Sequence, residues 1–345
     1  MIDFLVISGH ADERELGWIA SLYGEVDAKY ASLDFLRHQF VDNPIGWSAH
    51  VFALDEGRPV GHVAAVPCRA RTGSSELVAA KVEALVVAPS HRGRRVDGRS
   101  LPVVMSERLR ETARERGAVV LFALATDQAN RVFERAGFHP VQHGAFSLVL
   151  VTRPQTRSQN RRVASGLVAL MVVQRFVLAV AFGAARLGAG FPSVSIRTPD
   201  ARDAELTASS PRSGWTISGD DNWAWLTGSG LLHTVEISGP HGSRAVVRLP
   251  SGAGDDAPAQ IVAWEPRRPG ARSAILLLGF VARHAHAAAA PTVRFQPWPD
   301  NVHAHNLERM CRRLGFVRRS IVALELDGEA ELDDAVVSPF FYVTF

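Results

Sequence analysis

The run Val82-Glu83-Ala84-Leu85-Val86-Val87-Ala88-Pro89-Ser90-His91-Arg92-Gly93-Arg94-Arg95 joins an apolar, strand-like stretch to a loop of arginine and glycine. A helical pattern follows it from Pro102. Strand, loop and helix in that order make an anion site. The first amides of a helix have no intrahelical acceptors, and the helix dipole favours negative charge there. Glycines let the main chain approach a ligand, and guanidinium forks add charge-assisted hydrogen bonds. A pyrophosphate suits such a pocket. Glu83 lies within the apolar run. A carboxylate so placed is expected to be partly buried with a raised pKa, or to pair with Lys81 or an arginine. His91 belongs to the loop, on its solvent or phosphate side.

Later in the chain, Arg267-Arg268-Pro269-Gly270-Ala271-Arg272 has a similar layout, although Pro269 removes a backbone donor. Asp300, His303 and His305 form an Asp-x-x-His-x-His cluster, which is either a metal site or the cap of the helix read over 306–313. Cys68 and Cys311 are the only cysteines, too few for a disulfide framework or a four-thiolate zinc site. Trp215, Trp223, Trp225, Trp264 and Trp298 crowd the same region and are expected to build its core or line a cleft.

Elements that could position these residues are legible on both sides of the loop. Leu16, Ile19, Leu22 and Tyr23 fall at helical spacing within 12–40. His50–Leu54 and Val60–Val66 read as strands around the turn Asp55-Glu56-Gly57-Arg58. Val82–Val87 is a strand closed by Pro89, and Pro102–Arg116 is a helix ended by Gly117. Val119–Ala125 is apolar throughout, as a strand buried on both faces would be. Asp127–Ala136 is a short helix and Val141–Val151 a last strand.

Residues 153–165 are polar and basic, and Gly166–Phe191 is the most apolar stretch of the chain. Gln174 and Arg175 at its middle favour a buried or bridging helix over a membrane span, since a central arginine is costly in lipid. Residues 215–345 repeat the first half loosely. Ala259–Trp264, a loop, a helix over Arg272–Ala290 and Thr292–Gln296 copy the order of 82–125. Arg312-Arg313-Leu314-Gly315-Phe316 echoes Glu134-Arg135-Ala136-Gly137-Phe138. A repeat of this kind points to a duplicated domain.

At 345 residues, with 47% hydrophobic and 21% charged, the chain holds two domains or one large one and is not a disordered tract. The net charge is +3, and Lys29 and Lys81 are the only lysines. No lysine-rich tail or interleaving of aromatic and basic residues suggests nucleic acid. The start lacks a basic, then long apolar, leader pattern, so a reducing cytoplasmic setting is expected.

Val87-Ala88-Pro89 with Arg92-Gly93-Arg94, and Val132-Phe133-Glu134-Arg135-Ala136-Gly137-Phe138 downstream, resemble the GCN5-related N-acetyltransferase (GNAT) superfamily. The resemblance covers about residues 1–150 well and 215–345 faintly. It implies an α/β (α+β) fold, with a mixed central sheet flanked by helices and two GNAT-like domains in tandem. Residues 1–152 would be the acyl-CoA-binding domain, 153–214 a linker with an apolar bridging helix, and 215–345 a degenerate copy. The implied activity moves an acyl group from acetyl-CoA or another acyl-CoA to an amine of a small molecule by direct attack. Nucleic acid and membrane partners are not implied.

Carried onto this chain, the resemblance pairs the backbone of Leu85, Val86 and Val87 with the pantetheine arm. It assigns the pyrophosphate to Arg92, Gly93, Arg94, Arg95 and Gly98. Thr126, Asn130 and Phe133 fall near the thiol end, and Glu83 falls where several members keep a general base. Arg95 stands where the family's loop usually has glycine, and Asp97 where it has glycine or alanine. Phe133 stands where many members have a tyrosine that protonates the leaving thiolate, which phenylalanine cannot do. Those departures leave two other readings: a GNAT-fold binding protein without catalysis, and an aminoacyl-tRNA-dependent or peptidyl-type transferase.

Overall fold

The structure, a computed structural model, describes residues 2–24, 32–72, 75–123, 127–140, 146–151, 176, 178–187, 190, 192–203, 215–217, 225, 227–228, 232–249, 259–266, 270–288, 292–295, 317–320 and 322–325. The chain first forms β1 (Ile2–Ser8), α1 (Glu13–Gly24), α2 (Leu33–Phe40), β2 (Ala49–Asp55), β3 (Arg58–Thr72) and β4 (Ser75–Val87). A small hairpin, β5 (Arg95–Val96) and β6 (Arg99–Ser100), leads into α3 (Leu101–Glu115). After it come β7 (Val120–Ala123), α4 (Asp127–Arg135), β8 (His139–Pro140) and β9 (Phe146–Val151). The later part contains β10 (Val194–Arg197), β11 (Trp215–Ile217), β12 (Leu232–Ile237), β13 (Ser243–Arg248) and β14 (Ala259–Pro266). It continues with α5 (Ala271–Ala287), β15 (Thr292–Phe295), β16 (Val317–Ser320) and β17 (Val322–Glu325).

The helical pattern of 12–40 is carried by two helices, each started by its own side-chain cap. Asp12 Oδ1 accepts from the Glu15 amide at 2.9 Å while Glu15 Oε2 accepts from the Asp12 amide at 2.6 Å, a reciprocal capping box. Ser32 Oγ accepts from the Phe35 amide at 3.3 Å at the head of α2. In β3 the side chains alternate between two cores. Val63 and Ala65 join the layer of α3 and α4 with Leu101, Met105 and Leu109, while Ala64 and Val66 join α1 and α2 with Ile19, Leu36 and Phe40. The period of two thus sandwiches the sheet between helices on both faces.

Two sheets carry the molecule. The front sheet has the order β1-β2-β3-β4-β7-β17-β8, with β11 also pairing with β3. The rear sheet has the order β10-β12-β13-β14-β15-β9-β16. Pairing within both is mixed: β4–β7 and β14–β15 are parallel, whereas the other pairs are antiparallel. In the rear, α5 buries Leu277, Leu278 and Val281 against Val235, Val247 and Ile261. Leu178 and Ala185, from the helical residues 178–187, join that core. At least this part of the apolar stretch 166–191 therefore packs on α5, and no described helix is long and apolar enough to cross a membrane.

Sheet membership does not follow the division expected at residues 152/153 and 214/215. β9 lies in the rear sheet between β15 and β16, and β17 lies in the front sheet between β7 and β8. β10, from the expected linker, is the edge of the rear sheet, while β11 pairs with the front strand β3. Each half completes the other's sheet.

Candidate functional site

The front strand that carries the candidate residues has a bulge just before the loop. β4 pairs with β7 only from Ala79↔Val120 to Val82↔Ala123. On its other side it stays paired with β3 up to Gly61↔Val87, but the register shifts between His62 and Ala64. Ala84, in that shift, has φ 59, a left-handed conformation that costs an alanine energy. A bulge of this kind re-aims a strand. Past Val82, the side of Glu83–Val87 that faced β7 has no described strand partner. Leu85, Val86 and Val87 follow the bulge and lead into the arginine–glycine loop.

The following loop departs from a plain glycine-rich turn. Val96-Asp97-Gly98-Arg99 is a two-residue hairpin, with φ 50 at Asp97 and φ 76 at Gly98. An Asp-Gly pair favours this turn, because both central residues need φ above zero. Several loop amides are satisfied internally. His91 donates to Ala88 O at 2.8 Å, Arg94 to His91 O at 3.1 Å, and Leu101 to Arg94 O at 3.0 Å. Pro102, in the first turn of α3, has no N–H to offer. The expected cradle of free amides is thus largely replaced by a hairpin that displays arginines.

Those arginines have separate settings. Arg92 Nε donates to Val87 O at 3.4 Å and Arg95 Nη1 to Gly98 O at 3.2 Å, both at exposed positions. Arg94 Nη1 lies 3.1 Å from Asp55 Oδ2, and His91 Nε2 lies 3.0 Å from the same oxygen. The bond from His91, with help from Arg94, holds the Asp55 carboxyl below the ordinary carboxylate range. Asp55 thereby ties the loop to the β2–β3 turn, a role that the sequence reading missed. Arg99 Nη1 pairs with Glu107 Oε2 on α3. Gly93, with φ 84, has open space where a Cβ would stand.

Glu83 Oε1 pairs with Lys81 Nζ, and both residues are buried. Asn130 sits on α4, and its Oδ1 is buried without a hydrogen-bond partner. Thr126 lies outside the described residues. Phe133 is buried in the core of α3 and α4, with its ring centroid 4.9 Å from that of Phe138.

Beneath α1 and α2 the sheet buries two histidines that periodicity alone did not single out. Ser48 Oγ lies 2.8 Å from His50 Nε2, and His50 Nδ1 lies 3.1 Å from His62 Nε2. The hydroxyl's one proton goes to Phe40 O at 2.8 Å, so His50 Nε2–H donates to Ser48. His62 Nε2–H then donates to His50 Nδ1, leaving the His62 Nδ1 lone pair buried and unpartnered. Burial pushes the His50 pKa down to about 3 and that of His62 well below the ordinary value.

The rear half repeats the bulge with a different loop. β14 pairs in parallel with β15 from Ala259↔Val293 to Ile261↔Phe295. Its register with β13 shifts where Val246↔Ala263 gives way to Val247↔Ile261, placing a bulge at Val262. Only residues 267–270 separate β14 from α5, against 88–100 between β4 and α3. Of the rear loop, Gly270 is described and Arg267, Arg268 and Pro269 are not. Asp300, His303, His305 and Cys311 also lie outside the described residues, among which no group of three His, Cys, Asp or Glu could hold a metal. Trp264 packs on the rear core, but Trp225 sits on the front half. Its Nε1 donates to His38 O at 2.9 Å and its ring stacks 5.7 Å from the His38 ring.

A parallel strand pair with a bulge on its first strand, followed by a loop and a helix, occurs here twice, in a fold of the GNAT type. Residues 16–138 match the model of the acetyltransferase (GNAT) family. A tandem GNAT protein from the clavulanic acid biosynthesis pathway superposes with a TM-score of 0.53 at 13% identity, over 96% of this chain and 100% of that one. A GCN5-related N-acetyltransferase from Kribbella flavida superposes with a TM-score of 0.50 at 13% identity, over 94% of this chain and 72% of the other. No curated protein matches the sequence. Family and fold support an N-acetyltransferase in general terms.

Proposed function

We propose that the front half binds an acyl-coenzyme A, with acetyl-CoA the first to test, and that the chain transfers its acyl group to an amine of a small molecule. The observation that carries this reading is the bulge at Ala84 on β4, directly before the arginine–glycine loop and within the residues that match the GNAT model. Beyond such a bulge the main-chain donors and acceptors of Leu85–Val87 would serve the amides of a pantetheine arm, as in strand addition. The buried, unpartnered Oδ1 of Asn130 supports a ligand donor there, where the resemblance puts the thiol end. The pyrophosphate would be held by Arg92 and Arg95, with Gly93 and Gly98 shaping the turn and Arg94 braced by Asp55. Here guanidinium forks do most of what loop amides do in a plain glycine-rich turn.

Bound acyl-CoA supplies an activated thioester. This chain's residues would align it with the amine and take a proton from the ammonium, for which Glu83 is the candidate acceptor. Lys81, its ion-pair partner, competes for the same carboxylate. Phe133, buried against Phe138, brings no proton to a leaving thiolate. These last two features favour a second reading, in which the cleft binds acyl-CoA without turning it over.

Calorimetry with acetyl-CoA, followed by thiol release over a panel of amines, separates the readings. Binding with turnover that falls about a hundredfold or more in Glu83→Gln fits the transferase. Binding without turnover, unchanged in Glu83→Gln, fits the second reading. Absence of binding overturns both, and binding of charged tRNA in its place would point to an aminoacyl-transfer enzyme.

A further inference from the structure

The loop and hairpin between β4 and α3 carry Arg92, Arg94, Arg95 and Arg99, and these fall into two pairs. Arg94 and Arg99 each meet a carboxylate, Asp55 and Glu107 respectively. Arg92 and Arg95 bond only to the main-chain carbonyls of Val87 and Gly98, and among the described residues neither has a carboxylate partner. We infer that Asp55 is a positioning residue for the anion site: through His91 and Arg94 it fixes the loop so that Arg92 and Arg95 face the pyrophosphate of an acyl-CoA. The inference rests on the proposed binding of acyl-CoA by the front half.

The turn that holds Asp55 does not account for where its carboxylate goes. Asp55 pairs with Arg58 across the β2–β3 turn, and Glu56 (φ 50) and Gly57 (φ 76) supply the left-handed centre. Its Oδ2 nevertheless meets His91 and Arg94, 36 and 39 positions along the chain. Held below the ordinary carboxylate range, chiefly by the His91 bond, Asp55 only accepts at neutral pH. His91 Nε2–H therefore donates to it at 3.0 Å, and Nδ1 accepts from Ser90 Oγ–H at 2.9 Å. Main-chain bonds extend the clasp. The Ala88 amide donates to Val60 O on β3 at 2.8 Å, and the Arg94 amide donates to His91 O at 3.1 Å. Arg92 and Gly93 are thus strung between two residues that Asp55 holds. The clasp is shielded, with the side chains of Asp55 and His91 only 24% and 16% exposed, so it is worth more than an open surface pair.

Two effects of opposite sign meet at Asp55. Its charge alone repels a pyrophosphate, so removing that charge would tighten binding. Its hold on the loop lowers the ordering cost of binding, so removing it would weaken binding. The second effect wins in this assignment, because Arg94 and His91 already offset the charge while nothing else described ties their side chains to the β2–β3 turn.

Calorimetry of the full chain with acetyl-CoA, at low and high salt, tests this. Asp55→Asn is expected to weaken acetyl-CoA about tenfold, and Asp55→Glu to recover part of the loss. Asp55→Asn combined with Arg94→Gln is expected to be no weaker than Asp55→Asn alone, since the two residues act as one unit. Misaligned Arg92 and Arg95 should also make the affinity of Asp55→Asn less sensitive to salt than that of the parent, whereas loss of a negative charge alone would make it more sensitive. His91→Ala enters the same clasp from the loop and is expected to weaken acetyl-CoA as well, each variant being measured where circular dichroism shows a folded chain. An affinity unchanged or tighter in Asp55→Asn, losses that multiply in the double variant, or a raised salt sensitivity would overturn the inference while leaving acyl-CoA binding in place. A parent chain that binds no acetyl-CoA would overturn both.

Discussion

The two halves share a strand bulge and differ in the loop that follows it. In front, β4 bulges at Ala84 beside its parallel partner β7, and in the rear β14 bulges at Val262 beside its parallel partner β15. The strand pairing was therefore kept in both. The front then spends residues 88–100 on an arginine-bearing hairpin, while in the rear only 267–270 separate β14 from α5. On the proposed function, charge in the loop after the bulge decides whether a phosphorylated ligand binds. Two copies of a fold then need not mean two copies of an activity.

The largest expected effect comes from cutting the chain between the halves. A fragment ending at residue 152 lacks β17, so β7 and β8 lose their common neighbour. Expressed alone, it is expected to be insoluble or to lack cooperative thermal unfolding, and co-expression with residues 153–345 is expected to restore a single transition. A soluble, cooperatively melting fragment would show the halves to be independent.

Acid should find the front sheet first. His50 has a pKa of about 3 when folded against an ordinary 6.5, so the unfolded chain binds more protons between those values. The stability contributed by neutral His50 is complete above about pH 6.5 and is lost as pH falls toward 3. At about 1.4 kcal/mol per pKa unit, the loss amounts to several kcal/mol. Hydrogen exchange at pH 4–5, a range chosen roughly midway, should show β2 and β3 amides deprotected before those of β12 and β13. Replacing His50 and His62 together by leucine should flatten the pH dependence.

Next in size is the contrast between loops. Arg92→Ala with Arg95→Ala is expected to weaken acetyl-CoA binding by about ten- to a hundredfold, and more at low salt than at high salt. Arg267→Ala in the rear is expected to leave it unchanged. Equal losses from the two, read by calorimetry, would erase the distinction between the halves. The smallest effect belongs to Gly98→Ala. At φ 76 an alanine is strained by about 1 kcal/mol, so a loss of a few degrees in melting temperature and a modest loss of acetyl-CoA affinity are expected.

Local chemistry made much of this fold legible. The turn at Asp55–Arg58, the apolar β7 and the helix ended by Gly117 follow from turn residues and apolar spacing, and each is where the spacing puts it. Sheet neighbours were not legible. The alternation of β9 and β17 says which side chains face a core, but the same alternation fits either sheet, so their exchange could not be read. The bulge at Ala84 was hidden for a related reason, because alanine carries no mark of a left-handed backbone. Within the site, Asp97-Gly98 does carry a signal, since the pair announces a tight hairpin. Read only against a glycine-loop pattern, it looked like a defect. Asp55 was missed because its partners, His91 and Arg94, lie far along the chain.

The crossing of β9 and β17 also sets a timetable for synthesis. As the polypeptide leaves the ribosome, β7 and β8 emerge with a vacant slot between them, and the strand that fills it arrives about 180 residues later. Until then the nascent front sheet carries two raw edges, each a template for mispairing with another chain. A cell making this protein in quantity would be expected to shield that interval with a chaperone, and slowing translation after residue 152 should lower the soluble yield.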